Sequence, residues 1–156
     1  MGHSFRRSEA LVHGEVDWIN YLACGGVCVA RAIPSESGKL VEVIDDGQNG
    51  QFLVTAFVRA EGQPPWNAGW ATARYETYGE LLGKMHSFAL DYEPIPSYRR
   101  PEWDDASFKF IELHLPESEV IAHQKYQSLL KYIYSLPKDK SSYGLIHQDA
   151  HLIISL

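Results

Sequence analysis

Residues 51–58 read QFLVTAFV, and this run is the most strand-like stretch of the chain. From residue 52 onward its uninterrupted apolar and β-branched character predicts a buried strand. Pro64 and Pro65 follow soon afterwards, and they cannot supply the amide donors that a strand ladder needs. The stretch therefore predicts the last strand of a first lobe, residues 1–60, which a connection joins to a second lobe, residues 61–156.

The chain before this strand predicts one helix and two shorter strands. Apolar residues recur at three- and four-residue steps between Ser8 and Gly25, which indicates an amphipathic helix. Its apolar positions are Leu11, Val12, Val16, Ile19 and Leu22. Two β-branched runs, residues 27–33 and 40–44, predict strands separated by a turn, and residues 45–50 predict a second turn.

The chain after the strand is mainly helical in pattern. Residues 75–90 and about 117–136 carry apolar side chains at helical spacing, and each stretch is followed by proline. A short apolar run, residues 143–147, predicts a final strand. Strands gathered in the first half and helices in the second predict an α+β protein.

Composition restricts the class of protein. The chain has 156 residues and a net charge of −6, and this acidic balance argues against a broad nucleic-acid surface. No stretch approaches the roughly 20 apolar residues that span a bilayer, and no signal peptide pattern is present. A cytoplasmic protein without a membrane or nucleic-acid partner is therefore expected. Cys24 and Cys28 predict free, buried thiols, since no further ligands accompany them at metal-binding spacing.

Three side chains with chemical potential, His147, Asp149 and His151, stand at or just beyond the end of the predicted strand 143–147. Loops at strand ends often hold reactive groups on a rigid support. The same residues also fit a solvated loop without chemistry. In an extended segment the three side chains would share one face and could bind the metal ion of a hydrolase. The lack of a further ligand at this spacing argues against such a metal site. The residues alone leave these alternatives open.

The order of these features resembles the aminoglycoside phosphotransferase and choline kinase-like family, whose fold is protein-kinase-like. The stretches that carry the resemblance are GEVDWINYL (14–22), DDG (45–47), FLVTAF (52–57), LGKMH (82–86) and GLIHQD (144–149). The resemblance covers nearly the whole chain but not the whole family domain. It implies a two-lobed fold, incomplete at both ends, from a bacterial phosphotransferase.

The resemblance implies a role for each matching residue. Asp149 would accept the proton of the substrate hydroxyl, and His147 would support its loop. Glu15 matches the glutamate that pairs with a phosphate-holding lysine. The hinge strand that meets the adenine edge would be formed by Thr55, Ala56, Phe57 and Val58. His86 would be a packed structural histidine. Intact relatives would use ATP and Mg²⁺ to phosphorylate a small-molecule alcohol.

The chain also departs from the family pattern. Ile154 stands where a metal-binding asparagine is expected, and an isoleucine cannot bind a hard cation. The β3 lysine and the downstream metal-binding aspartate have no counterpart. A shortened, catalytically inert phosphotransferase with doubtful nucleotide binding is therefore expected; a non-enzymatic nucleotide- or partner-binding remnant is the alternative. Helices without their later neighbours would expose apolar faces and favour self-association.

The loop of residues 92–105 is rich in aromatic and acidic side chains, among them Trp103, Asp104 and Asp105. Carboxylates and aromatic faces suit cationic amines, so this loop could contribute to a substrate pocket. A packed surface loop without such a role is the alternative, and the sequence favours it.

Overall fold

The computed structural model describes residues 2–4, 7–59, 71–105 and 113–147. The chain divides into two units, one of residues 1–100 with 144–156 and the other of residues 101–143. The described elements are β1 (Gly2–His3), α1 (Glu9–Cys24), β2 (Ala32–Ile33), β3 (Glu42–Asp45), β4 (Gln51–Val54), β5 (Ala56–Phe57), α2 (Thr72–Ala89), a 3-10 helix (Pro96–Tyr98) and α3 (Val120–Ser135). The predicted lobe boundary near residue 60 adjoins residues outside the described part and stays a prediction.

The bounds of helix α1 are set by a serine before its first turn and by glycines after its last. The Ser8 hydroxyl accepts a hydrogen bond from the Leu11 amide at 3.3 Å and so satisfies one free donor of the first turn. Gly26 follows the helix with a φ of +78°, a conformation that costs glycine little. The predicted helix is confirmed, and its Val16 and Leu22 side chains are almost completely buried.

The core of the first unit lies between α1 and a three-stranded antiparallel sheet ordered β1-β4-β3. Leu53 of β4 is opposite Gly2 of β1 and Val43 of β3. The buried cluster consists of Val12, Val16, Ala32, Val41 and Leu53. The apolar positions of the helix and the sheet thus meet in one core, which is the main source of stability for a domain of this size.

The prediction of one buried strand over residues 51–58 is wrong. The chain leaves the three-stranded sheet after β4, and β5 pairs with β2 in a separate two-stranded sheet. Of this run only Leu53 is buried, whereas Phe57 and Val58 are exposed by 38% and 46%. The apolar run reflects two short strands with different partners, and the pairing depends on tertiary contacts that periodicity does not report.

The turn over residues 45–50 is confirmed. It connects β3 with β4, and the Asp46 carboxylate accepts hydrogen bonds from the amides of Gln48 and Gly50 at 2.7 and 2.8 Å. Gly47 and Asn49 have φ values of +73° and +66°, which glycine and asparagine adopt more readily than other residues.

The two later helices are confirmed, since α2 and α3 lie within about three residues of the predicted bounds. Neither helix contains a buried residue, and the exposed large apolar side chains of α3 are Val120, Ile121, Leu129, Tyr132 and Tyr134. Self-association through these faces stays a prediction.

Two smaller expectations fail. Residues 143–147 form no strand, and Ile146 is 71% exposed, because the short apolar run has no neighbouring strand in the described part of the chain. Cys24 and Cys28 are free, as predicted, but exposed rather than buried. They flank the turn at the end of α1, where the backbone leaves the core.

Candidate functional site

The predicted hinge, residues 55–58, places backbone hydrogen-bonding groups along an open edge. The Val58 amide donates to the Arg31 carbonyl at 2.8 Å, and Ala32 lies opposite Phe57. In an antiparallel pair, the backbone N–H and C=O groups of successive residues point alternately toward the partner strand and away from it. Phe57 therefore directs its amide and carbonyl away from β2, toward an edge where the described part of the chain has no further strand.

An independent contact supports this alternation. The amide of Ala32, opposite Phe57, donates to the side-chain oxygen of Asn20 at 2.8 Å instead of to β5. The residue pair Ala32–Phe57 is thus the one whose backbone groups point outward. A planar base with donor and acceptor groups on one edge could meet the Phe57 backbone there.

Glu15 lies on α1 and faces two arginines. Its Oε2 atom contacts Nη1 of Arg7 and lies 3.8 Å from Nη1 of Arg100. Arg100 also donates to the carbonyl of Leu11, one turn earlier in the helix, at 3.0 Å. The sequence predicts Glu15 without a lysine partner; it does not predict these two guanidinium groups, because Arg100 is distant along the chain.

The segment that carries Arg100 packs directly on α1. The Tyr92 hydroxyl donates to the Asp17 carboxylate at 2.6 Å, and its ring lies 4.7 Å from that of Trp18. Burial, together with this hydrogen bond, raises the pKa of Tyr92 above its ordinary value. A β-carbon at Gly14 would lie 2.1 Å from the Tyr98 carbonyl oxygen. The backbone approach at Gly14 thus requires glycine.

The predicted catalytic loop is only partly described. His147 is half-buried, and its Nδ1 atom is buried without a hydrogen-bond partner among the described residues. Asp149 and His151 lie outside the described residues, so their predicted roles stay predictions. His86, expected to be packed, is exposed on α2.

The last residues of the acidic and aromatic loop, 101–105, belong to the second unit and hold an ammonium group. Lys138 Nζ lies 3.3 Å from a carboxylate oxygen of Glu102 and 3.4 Å from one of Asp104. It also lies 5.6 and 5.0 Å from the ring centres of Trp103 and Tyr143, within the range of cation–π attraction. The cation in this loop is Lys138 of the same chain. Its contacts connect the loop with residues 138–143.

Two negative findings apply to the described residues alone. They contain no group of three or more His, Cys, Asp or Glu side chains that could hold a metal ion. They also contain no helix that combines the length and the apolar character of a membrane span. The hydrolase alternative involves Asp149 and His151, which lie outside this part of the chain, and so it is untested.

The chain is similar in sequence and in structure to known kinases. No model of a known protein family matches the chain. Amicoumacin kinase of Bacillus subtilis (strain 168) is 35% identical over 150 residues, which are 96% of this chain and 45% of that protein. The chain therefore spans less than half the length of this relative.

Two solved structures are similar. A complex of amicoumacin kinase hAmiN with AMP-PNP, Ca²⁺ and Ami matches with a TM-score of 0.86 and 33% identity, over 97% of this chain and 46% of that one. A microcompartment-associated aminopropanol kinase matches with a TM-score of 0.69 and 20% identity, over 94% and 48% of the two chains. This second likeness concerns the fold alone. The predicted kinase-like α+β fold is confirmed.

Proposed function

We propose, from the premise that this chain is a relative of the aminoglycoside phosphotransferase-like kinases, that it binds the adenine base of ATP at the Phe57 backbone. The whole protein of this type would transfer the γ-phosphate of ATP to a small-molecule hydroxyl. This chain, with Ile154 in a position that needs an oxygen ligand, would bind nucleotide without transferring phosphate.

The observation that carries this proposal is the match to the kinase structure that contains AMP-PNP, at a TM-score of 0.86 and 33% identity. The outward edge of β5 supports the proposal. Its alternating backbone groups leave one donor and one acceptor of Phe57 directed away from β2. Two such hydrogen bonds orient a planar base and distinguish bases by their edge pattern.

The side chains of the same segment can enclose the base on its faces. Phe57 and Val58 are exposed by 38% and 46%, although both are apolar. Apolar side chains next to backbone groups that no described strand pairs are typical of small-molecule sites, in which a few polar groups fix the orientation of the ligand. The exposure of this pair is therefore consistent with a surface that a base covers.

Phe57→Pro is expected to weaken ATP binding about fivefold, because proline removes one backbone donor and a hydrogen bond contributes roughly 1 kcal/mol. Since the Phe57 amide faces away from β2, the substitution leaves the pairing of β5 with β2 intact. Isothermal titration calorimetry with ATP measures the difference.

Phe57→Leu is the matched control and is expected to bind ATP within about twofold of the unchanged chain, because it retains the amide and an apolar side chain. A folded Phe57→Pro variant that binds ATP as tightly as Phe57→Leu would contradict the proposed contact. Circular dichroism of both variants establishes that each is folded.

A further inference from the structure

Two guanidinium groups share one carboxylate on the surface of α1. Arg7 and Arg100 each direct Nη1 toward the same oxygen, Oε2 of Glu15. One carboxylate lies between these two cations, and the Asp17 carboxylate, half a turn further along α1, accepts a hydrogen bond from the Tyr92 hydroxyl at 2.6 Å. Two cations thus meet at one glutamate in a chain whose overall charge is −6.

The second guanidinium is held in place. Arg100 donates to the Leu11 carbonyl at 3.0 Å, and its side chain passes Gly14, where a β-carbon would lie 3.5 Å from Arg100 Cδ. Gly14 itself is in close contact with the Tyr98 backbone. A cation fixed by its surroundings loses less conformational freedom on binding a ligand than a mobile surface arginine does.

The cluster of Arg7, Arg100 and Glu15 is accessible to solvent, and its guanidinium groups have further N–H donors. The side chains of Arg7, Arg100 and Glu15 are exposed by 51%, 31% and 34%. A guanidinium has five N–H donors in a planar fork, and only Nη1 of each arginine is engaged in the contacts described above. Such forks bind phosphate oxygens in pairs, and partial burial protects these contacts from screening by salt.

We propose that Arg7 and Arg100 form a binding site for a polyphosphate, with Glu15 as the resident anion that the ligand partly displaces. The assignment of this site to the phosphates of ATP rests on the proposed function. The binding of an inorganic polyphosphate does not depend on it. Neither arginine is among the residues that the family resemblance assigns to the nucleotide.

The test is calorimetric titration of the chain with sodium tripolyphosphate and, separately, with ATP. Arg7→Met and Arg100→Met are each expected to weaken tripolyphosphate binding about tenfold, because each removes charge-assisted hydrogen bonds. Lys84→Met is the matched control, since Lys84 is an exposed cation on α2 and its loss changes the net charge equally. It is expected to leave the affinity within about twofold.

A second variant keeps the proposal falsifiable if Arg100→Met fails to fold. Glu15→Gln removes the competing carboxylate and keeps both cations, so it is expected to tighten tripolyphosphate binding several-fold. Unchanged or weaker binding by Glu15→Gln would overturn the proposal, as would equal affinities of Arg7→Met and Lys84→Met.

The two ligands separate this inference from the proposed function. If both arginine variants bind tripolyphosphate as tightly as the unchanged chain while Phe57→Pro weakens ATP binding, the polyphosphate site is overturned and the adenine contact stands. If both arginine variants bind tripolyphosphate more weakly while Phe57→Pro leaves ATP binding unchanged, the polyphosphate site stands and the proposed adenine contact is contradicted. No binding of tripolyphosphate by the unchanged chain overturns the site outright.

Discussion

Gly14→Ala is expected to lower the free energy of unfolding of the first unit by about 2 kcal/mol, because overpacking at a closed contact costs up to about 3 kcal/mol and the helix preference of alanine offsets about 1 kcal/mol of it. The added β-carbon would lie 2.1 Å from the Tyr98 carbonyl oxygen and 3.2 Å from its carbon. Backbone atoms cannot turn aside as a flexible side chain can. The segment that carries Tyr98 must therefore move off α1, and urea denaturation measures the loss.

Gly79→Ala is the matched control, because it makes the same change inside α2 where no described atom lies within 4 Å of the new carbon. Alanine favours helix over glycine by about 1 kcal/mol, so this variant is expected to be neutral or slightly more stable. Equal stability of Gly14→Ala and the unchanged chain would contradict the close packing of Tyr98 on α1.

ATP turnover is the second prediction with a large effect, and the expected rate for this chain is that of the buffer alone. Phosphoryl transfer depends on holding ATP and Mg²⁺ in line with the attacking hydroxyl. Ile154 offers no oxygen to Mg²⁺ at the position where the family resemblance expects an asparagine. A coupled assay of ADP release with Mg²⁺ and a panel of amino alcohols measures the rate.

Asp149→Asn provides the matched control for that assay. The substitution removes the carboxylate predicted to accept the hydroxyl proton. Any trace of ADP that both proteins release equally comes from a contaminant. Magnesium-dependent release that the Asp149→Asn variant loses would contradict the prediction of an inert chain.

The helices could be predicted from the sequence because their signals are local. Ser8 and Gly26 mark the two ends of α1, and apolar residues at three- and four-residue steps mark the buried face in between. The periodicity also predicts α2 and α3, although it does not report that both lack buried residues.

The break within residues 51–58 could not be predicted, because it is a change of partner rather than a change of composition. A mainly apolar stretch of eight residues fits one long buried strand and two short strands equally well. Only the three-dimensional pairing of β4 with β3 and of β5 with β2 distinguishes them. This pairing is also what gives Phe57 its outward-facing backbone groups.

The candidate site could be predicted only in part for the same reason. Residues 55–58 and Glu15 follow from the family resemblance, which depends on short stretches of sequence. The cations that meet carboxylates, Arg100 at Glu15 and Lys138 at Glu102, come from distant parts of the chain. Contacts of this kind depend on the folded structure, and no local pattern marks them.

Nitrogen-15 amide spectra during an ATP titration test the central claim most directly, because they report on single backbone groups. We expect a large, saturable shift of the Phe57 amide, which faces the proposed base, and a smaller one of the Val58 amide, which stays bonded to Arg31. An amide of Phe57 that keeps its position at saturating ATP, or no saturable shift anywhere in the spectrum, would contradict adenine binding at this strand.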